Sequence, residues 1–209
     1  MGILNSGING PMRNKAGAVV GRMSRGQNIV SGLPRTSDKP GTEPQLLARE
    51  QLILLSQFLN SISNLVNPGF KQYRKKGSAL NAAYAYNFEQ AFVFEEDKVI
   101  LNYPAIVYSR GHVKGALVPS VTLEEGMAIF KWQEQQESNF CRFSDQASFL
   151  LVAADTGKAA IFQNVTRRDA CGFTVALPAK LKNTALHAYM NFSSADGKLV
   201  GNSRYVGPY

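Results

Sequence analysis

The chain has 209 residues, 44% of them hydrophobic and 10% aromatic, which is ample for a packed core and excludes wholesale disorder. Its formal net charge of +8 is unevenly placed: residues 1–76 hold eleven Lys or Arg against three acids, Asp38, Glu43 and Glu50, while residues 77–209 hold twelve of each sign. Two cysteines, Cys141 and Cys171, without CxxC spacing exclude a disulfide framework, and His112 and His187 lie too far from them in sequence to support a zinc site.

Asn, Gly and Pro interrupt the first fifteen residues, so no signal peptide is read there, and no stretch reaches the roughly 18 apolar residues of a membrane span. The product is therefore expected in the cytoplasm or within an assembled particle. Residues 1–41 make a basic, glycine-rich arm. Segments 18–23 and 27–33 flank Ser24-Arg25-Gly26, and a glycine in so short a connection predicts a β-hairpin. Gly21 and Gly32 weaken its strands, because glycine packs nothing and costs backbone entropy. A lone two-stranded hairpin is marginal in water, so this one needs a surface: its own domain, another subunit or a ligand. Residues 34–41, with two prolines and no apolar side chain, read as a linker.

A strong helix follows. Thr42 with Gln45 fits a capping box, Pro44 sits in the first turn, and Leu47, Leu54, Leu55, Phe58, Ile62, Leu65 and Val66 recur at helical spacing. Asn67-Pro68-Gly69 predicts its end. A second helix is expected over 78–92, with Leu80, Ala83, Tyr84, Phe88 and Phe92 as its apolar stripe, so that 42–94 forms a helical hairpin. Between the two lies "KQYRKKG", residues 71–77. Its cations could grip phosphates while Tyr73 stacks, or the segment is a solvated face with Tyr73 turned toward the first helix.

From about residue 99 the pattern becomes all-β. Strands are expected at 99–109, 116–123, 127–134, 148–154, 159–163, 172–177, 185–193 and 204–206. Turn signals such as Glu125-Gly126, Asp155-Thr156-Gly157 and Asp196-Gly197 separate several of them. Short, regular strands over 99–209 predict an antiparallel sandwich like immunoglobulin or fibronectin type III domains, making the whole chain α+β. Trp132 shares a face with Ala128 and Phe130 and reads as a core side chain; Leu186, Ala188, Met190 and Phe192 form the buried face of a late strand.

Catalytic motifs are missing. There is no Walker loop, GxGxxG after a strand, HExxH, GxSxG or EF-hand loop. Neither histidine is paired in sequence with a nucleophile and an orienting acid. The acids Glu95-Glu96-Asp97 and Glu124-Glu125 fall at expected turns, where they are solvated. No enzyme activity, cofactor or metal is expected.

The order of these features resembles a Bacteroidota family catalogued as a domain of unknown function. The matching stretches are "NKAGAVVGRMSRGQNIV", "PGTEPQLLAREQ", "GFKQYRKKGSALNAAYAYN", "VYSRGHVKGAL", "LLVAAD" and "YMNFSSADGKLVGNSRYVG". The family pattern often has a tryptophan before the hairpin's lysine-glycine turn, where this chain has Met23-Ser24-Arg25-Gly26. The resemblance implies an arm, two helices and a β-sandwich, and brings no catalytic residues.

The leading expectation is a non-enzymatic assembly protein, of the kind found in virions or virus-like particles. Its arm would add to a neighbouring subunit or another protein through Val19, Val20, Ile29 and Val30, with Arg22 and Arg25 setting charge complementarity. The alternative is sequence-nonspecific nucleic-acid binding by Arg13, Lys15, Arg22, Arg25, Lys71, Arg74, Lys75 and Lys76. A third reading is surface adhesion or carbohydrate binding by the sandwich loops.

Overall fold

The computed structural model describes residues 2–4, 12–34, 40–74, 77–95, 98–182 and 184–209. Lys75 and Lys76, and residues 35–39 of the expected linker, lie outside them. The chain divides into two compact units, Met1–Thr42 and Glu43–Tyr209, and each is described by itself. The described residues combine α-helices with several antiparallel sheets, a mixed α+β fold.

The first unit is a four-stranded sheet of β1 (Gly2–Leu4), β2 (Asn14–Ala16), β3 (Val19–Ser24) and β4 (Gln27–Gly32), in the order β1-β4-β3-β2. β3 and β4 are the expected hairpin. Their connection is a two-residue turn, with Arg25 at φ 53° and Gly26 at φ 77°, the left-handed pair that suits strand twist. The hairpin does not stand alone, as its sequence suggested. β2 pairs with β3 and β1 pairs with β4, so both of its edges are hydrogen-bonded within the arm.

The second unit has three layers. Its central sheet runs β10 (Ala159–Arg167), β9 (Gln146–Ala153), β12 (Leu186–Ser193), β13 (Arg204–Pro208), and a second sheet runs β11 (Gly172–Ala176), β8 (Met127–Gln133), β7 (Leu117–Glu124). Alternation along β9 and β12 puts Phe149, Leu151, Met190 and Phe192 toward the second sheet. There Phe149 stacks on Phe173 at 4.9 Å and meets Phe130 at 4.4 Å. Leu150, Val152 and Tyr189 point the other way, into a core shared with the helices. Covered on both faces, β9 is apolar without alternation over residues 149–153. The segments read as a helical hairpin and a β domain thus share the central sheet.

The helices are shorter than their sequence patterns. α1 (Glu43–Ser61) breaks at Ile62, whose carbonyl accepts from the amides of both Leu65 and Val66. α2 (Ser63–Gly69) then ends at Gly69, within the expected stop at Asn67-Pro68-Gly69. Its end is set by tertiary contact: Gly69 is buried, and its carbonyl accepts from the Arg110 amide at 3.0 Å. α3 (Ala79–Asn87) starts under the Ser78 hydroxyl, which accepts from the Asn81 amide. It ends where the buried Asn87 side chain donates to the carbonyls of Ala83 and Val107 and accepts from the Val107 amide at 2.7 Å. Phe92, expected to continue the helix, instead opens β5 (Phe92–Glu95), which forms a hairpin with β6 (Lys98–Leu101). The strand expected over 99–109 therefore stops at Leu101, and a short 3-10 turn, Tyr103–Ala105, follows.

One buried cation ties the second sheet to its loops. Arg168, only 2% exposed, donates to Asp145 Oδ2 (3.1 Å), Gln135 Oε1 (2.7 Å) and the Lys114 carbonyl (2.6 Å), with its guanidinium carbon 3.8 Å above the Phe192 ring. Its own carbonyl accepts from the buried Trp132 indole N–H at 2.8 Å. Each guanidinium nitrogen thus has a protein acceptor, and the site is a structural strut.

Candidate functional site

The strand register sorts the arm residues by face. Cross-strand partners project to the same side, so the pairs Lys15–Val20 and Arg22–Ile29 put Lys15, Val20, Arg22 and Ile29 on one face. Val19, Gly21, Met23, Asn28 and Val30 occupy the other. The expected contact residues do not form one apolar surface; they split two and two.

Part of the second face is covered by the chain itself. A Cβ on Gly21 would run into the Met12 backbone carbonyl, so this glycine exists to let Met12 cross the strand. Asn28, 3% exposed, fixes the crossing: with its side-chain nitrogen assigned to the Met12 carbonyl side it donates to that carbonyl (2.9 Å), and its oxygen accepts from the Met12 amide (3.0 Å). The sequence reading that Gly21 only weakens its strand is thereby corrected. Met23 is 42% exposed. The open face carries the exposed cations Lys15 and Arg22 beside the half-buried Val20 and Ile29; Arg13 and Arg25 are exposed at its margins.

The second basic cluster is arranged differently. Lys71 and Arg74 are exposed and, among the described residues, form no ion pair. Tyr73 does not turn toward the first helix as a packed ring. It meets Phe70 edge-on, and the Arg110 guanidinium lies over its face at 4.4 Å and over the Tyr86 face at 4.0 Å. One face of the ring that a nucleic-acid base would stack on is therefore taken by a cation, while the side chain stays 37% exposed.

A third feature was not anticipated from sequence. A cavity of about 610 Å³ opens between α1, the β5–β6 hairpin and the turn after β9, within the size range of small-molecule sites. Leu54, Phe58, Val93 and Ile100 give it apolar walls, and Tyr103, Asp155 and His187 supply polar atoms. His187 stacks on Tyr103 at 4.3 Å, and its Nδ1 shares a 2.8 Å hydrogen bond with the Tyr205 hydroxyl. Burial holds its imidazole below the usual pKa, so it is neutral at pH 7. Burial raises the Tyr103 phenol, and the Asp155 carboxylate pushes it further in the same direction. Local pattern could not reveal this site: Leu54 reads as helix face, Val93 as helix end and Asp155 as turn, and only tertiary structure brings them together.

Among the described residues, no three His, Cys, Asp or Glu side chains are grouped as a metal site needs, and no helix is long and apolar enough to cross a membrane. Cys141 is buried; Cys171 is half-buried with its thiol pKa raised, first by burial.

A family model described as "Family of unknown function (DUF6266)" matches residues 9–207. The chain belongs to DUF6266. No curated protein and no solved structure matches it. The DUF6266 match takes in β2 to β4 of the arm, all three helices and both sheets of the second unit, so the arm face and the cavity alike lie within the family's span.

Proposed function

We propose that this protein is a non-enzymatic assembly protein, in which an immunoglobulin- or fibronectin-III-like sandwich carries a basic arm that docks on a neighbouring subunit. The strand order supports the sandwich reading. With β7 to β13 lettered A, B, C, C′, E, F and G, the sheets are E-B-A and C′-C-F-G, the immunoglobulin-type order without strand D. The helices pack on the outside of the C′-C-F-G sheet.

The observation that carries the docking reading is the open arm face, where Lys15 and Arg22 alternate with the half-buried Val20 and Ile29. A face that interleaves aliphatic side chains with cations suits an acidic protein surface with an apolar centre. Residues 1–41 contain no aromatic side chain for base stacking, and Tyr73 in the second basic cluster has one face occupied by Arg110. Both favour protein over single-stranded nucleic acid as the occupant.

Substitution separates the two. The double change Val20→Ser/Ile29→Ser and the single change Arg22→Glu should each dissociate the assembly, read as mass by light scattering. If only the charge change acts, and the native protein carries 260 nm absorbance that salt removes, the arm is a phosphate-binding surface instead.

A further inference from the structure

We propose that the cavity beside α1 binds a small amphiphilic amine, its apolar body against Leu54, Phe58, Val93 and Ile100 and its protonated nitrogen at Asp155. This site is independent of the arm and of the assembly reading.

Charge complementarity selects the class. Among the described residues lining the cavity, Asp155 is the one with a formal charge, since burial lowers the His187 pKa and favours its neutral form. A fatty acid or other anion would therefore enter against a like charge with no cation to meet it, whereas an ammonium gains a partner. Size points the same way. About 610 Å³ accommodates a ligand of small-molecule dimensions, while a docked helix or strand needs a longer, open groove. The walls are ready-formed: Phe58 is 5% exposed and locked edge-on against Tyr103 at 5.6 Å, and His187 is held between Tyr103 and Tyr205. At the rim, Val93 and Ile100 face each other across the β5–β6 hairpin and remain 37% and 39% exposed, apolar surface that a bound hydrocarbon would cover.

The test uses the whole chain and a neutral fluorescent probe, N-phenyl-1-naphthylamine, displaced by decylamine or decanoate at equal concentrations below micelle formation. Saturable probe binding, displaced by decylamine at a concentration about fivefold below that needed for decanoate, is the expected result. Asp155 lies on an exposed turn, so Asp155→Asn and Asp155→Lys should fold normally, as unchanged melting would verify. The first should equalise the two competitors and the second should reverse their order. Leu54→Trp, which narrows the cavity, should weaken probe binding at least several-fold. Absence of saturable probe fluorescence overturns the proposal, and so does decanoate displacing as well as decylamine from the native chain. Unaltered preference in Asp155→Lys does the same.

Discussion

Arg168 has no sequence signature, yet it is the most heavily bonded buried side chain described above. Its guanidinium spans Asp145, Gln135 and the Lys114 carbonyl under the Phe192 ring. Removing one partner of such a pair strands the other charge in a dry site. Asp145→Ala is therefore expected to cost about 3–5 kcal/mol in urea unfolding, and a loss under about 1 kcal/mol would contradict the strut. His187 gives a pH signature. Its folded pKa lies below the ordinary 6.5 because burial disfavours the imidazolium. As pH falls through that value the unfolded chain takes up a proton that the folded chain resists, so stability falls with acidification. Between about pH 7 and 5 the native protein should lose stability faster than His187→Gln. Parallel curves for the two would remove His187 from the account.

Elements diverged from sequence wherever tertiary contact overrode local pattern. The strands from β7 to β13 were legible because short alternating runs and turn dipeptides bracket them; their ends moved only as far as the sheet ladders required. The extent of the helices was less legible. Ile62 breaks α1 although the apolar spacing continues, and Asn87 ends α3 by bonding a segment 20 residues away. β1 and β2, three residues each, are too short to carry a periodic pattern. The arm residues were found individually, but which face each occupies depends on register, and the crossing of Met12 at Gly21 leaves no local mark. That crossing is testable. Gly21→Ala puts a methyl group into the Met12 carbonyl and should release the Asn28 clamp. Amide exchange in the arm should then speed by about tenfold or more, with melting of the second unit unchanged. Unaltered protection of the arm would mean that Met12 does not cover that part of the face.

At the scale of the molecule, the first unit carries more than its share of charge: residues 1–42 hold six Lys or Arg against one acid, +5 of the net +8. Residues 1–76 carry the whole excess of +8, and four of those cations, Arg13, Lys15, Arg22 and Arg25, stand exposed on a unit that ends at Thr42. Among the described residues, the buried side chains of both apolar cores come from residue 55 onward, within the second unit. The central claim is that the arm docks on a neighbouring subunit through a mixed apolar and cationic face. The most direct measurement is mass by light scattering on size exclusion, for the full chain and for residues 43–209, at low and high salt with absorbance read at 260 and 280 nm. An assembly larger than a monomer that requires the arm, persists in high salt and carries no 260 nm excess is the predicted result. Equal monomeric masses for the two chains, or an arm-dependent 260 nm signal that salt removes, would contradict it.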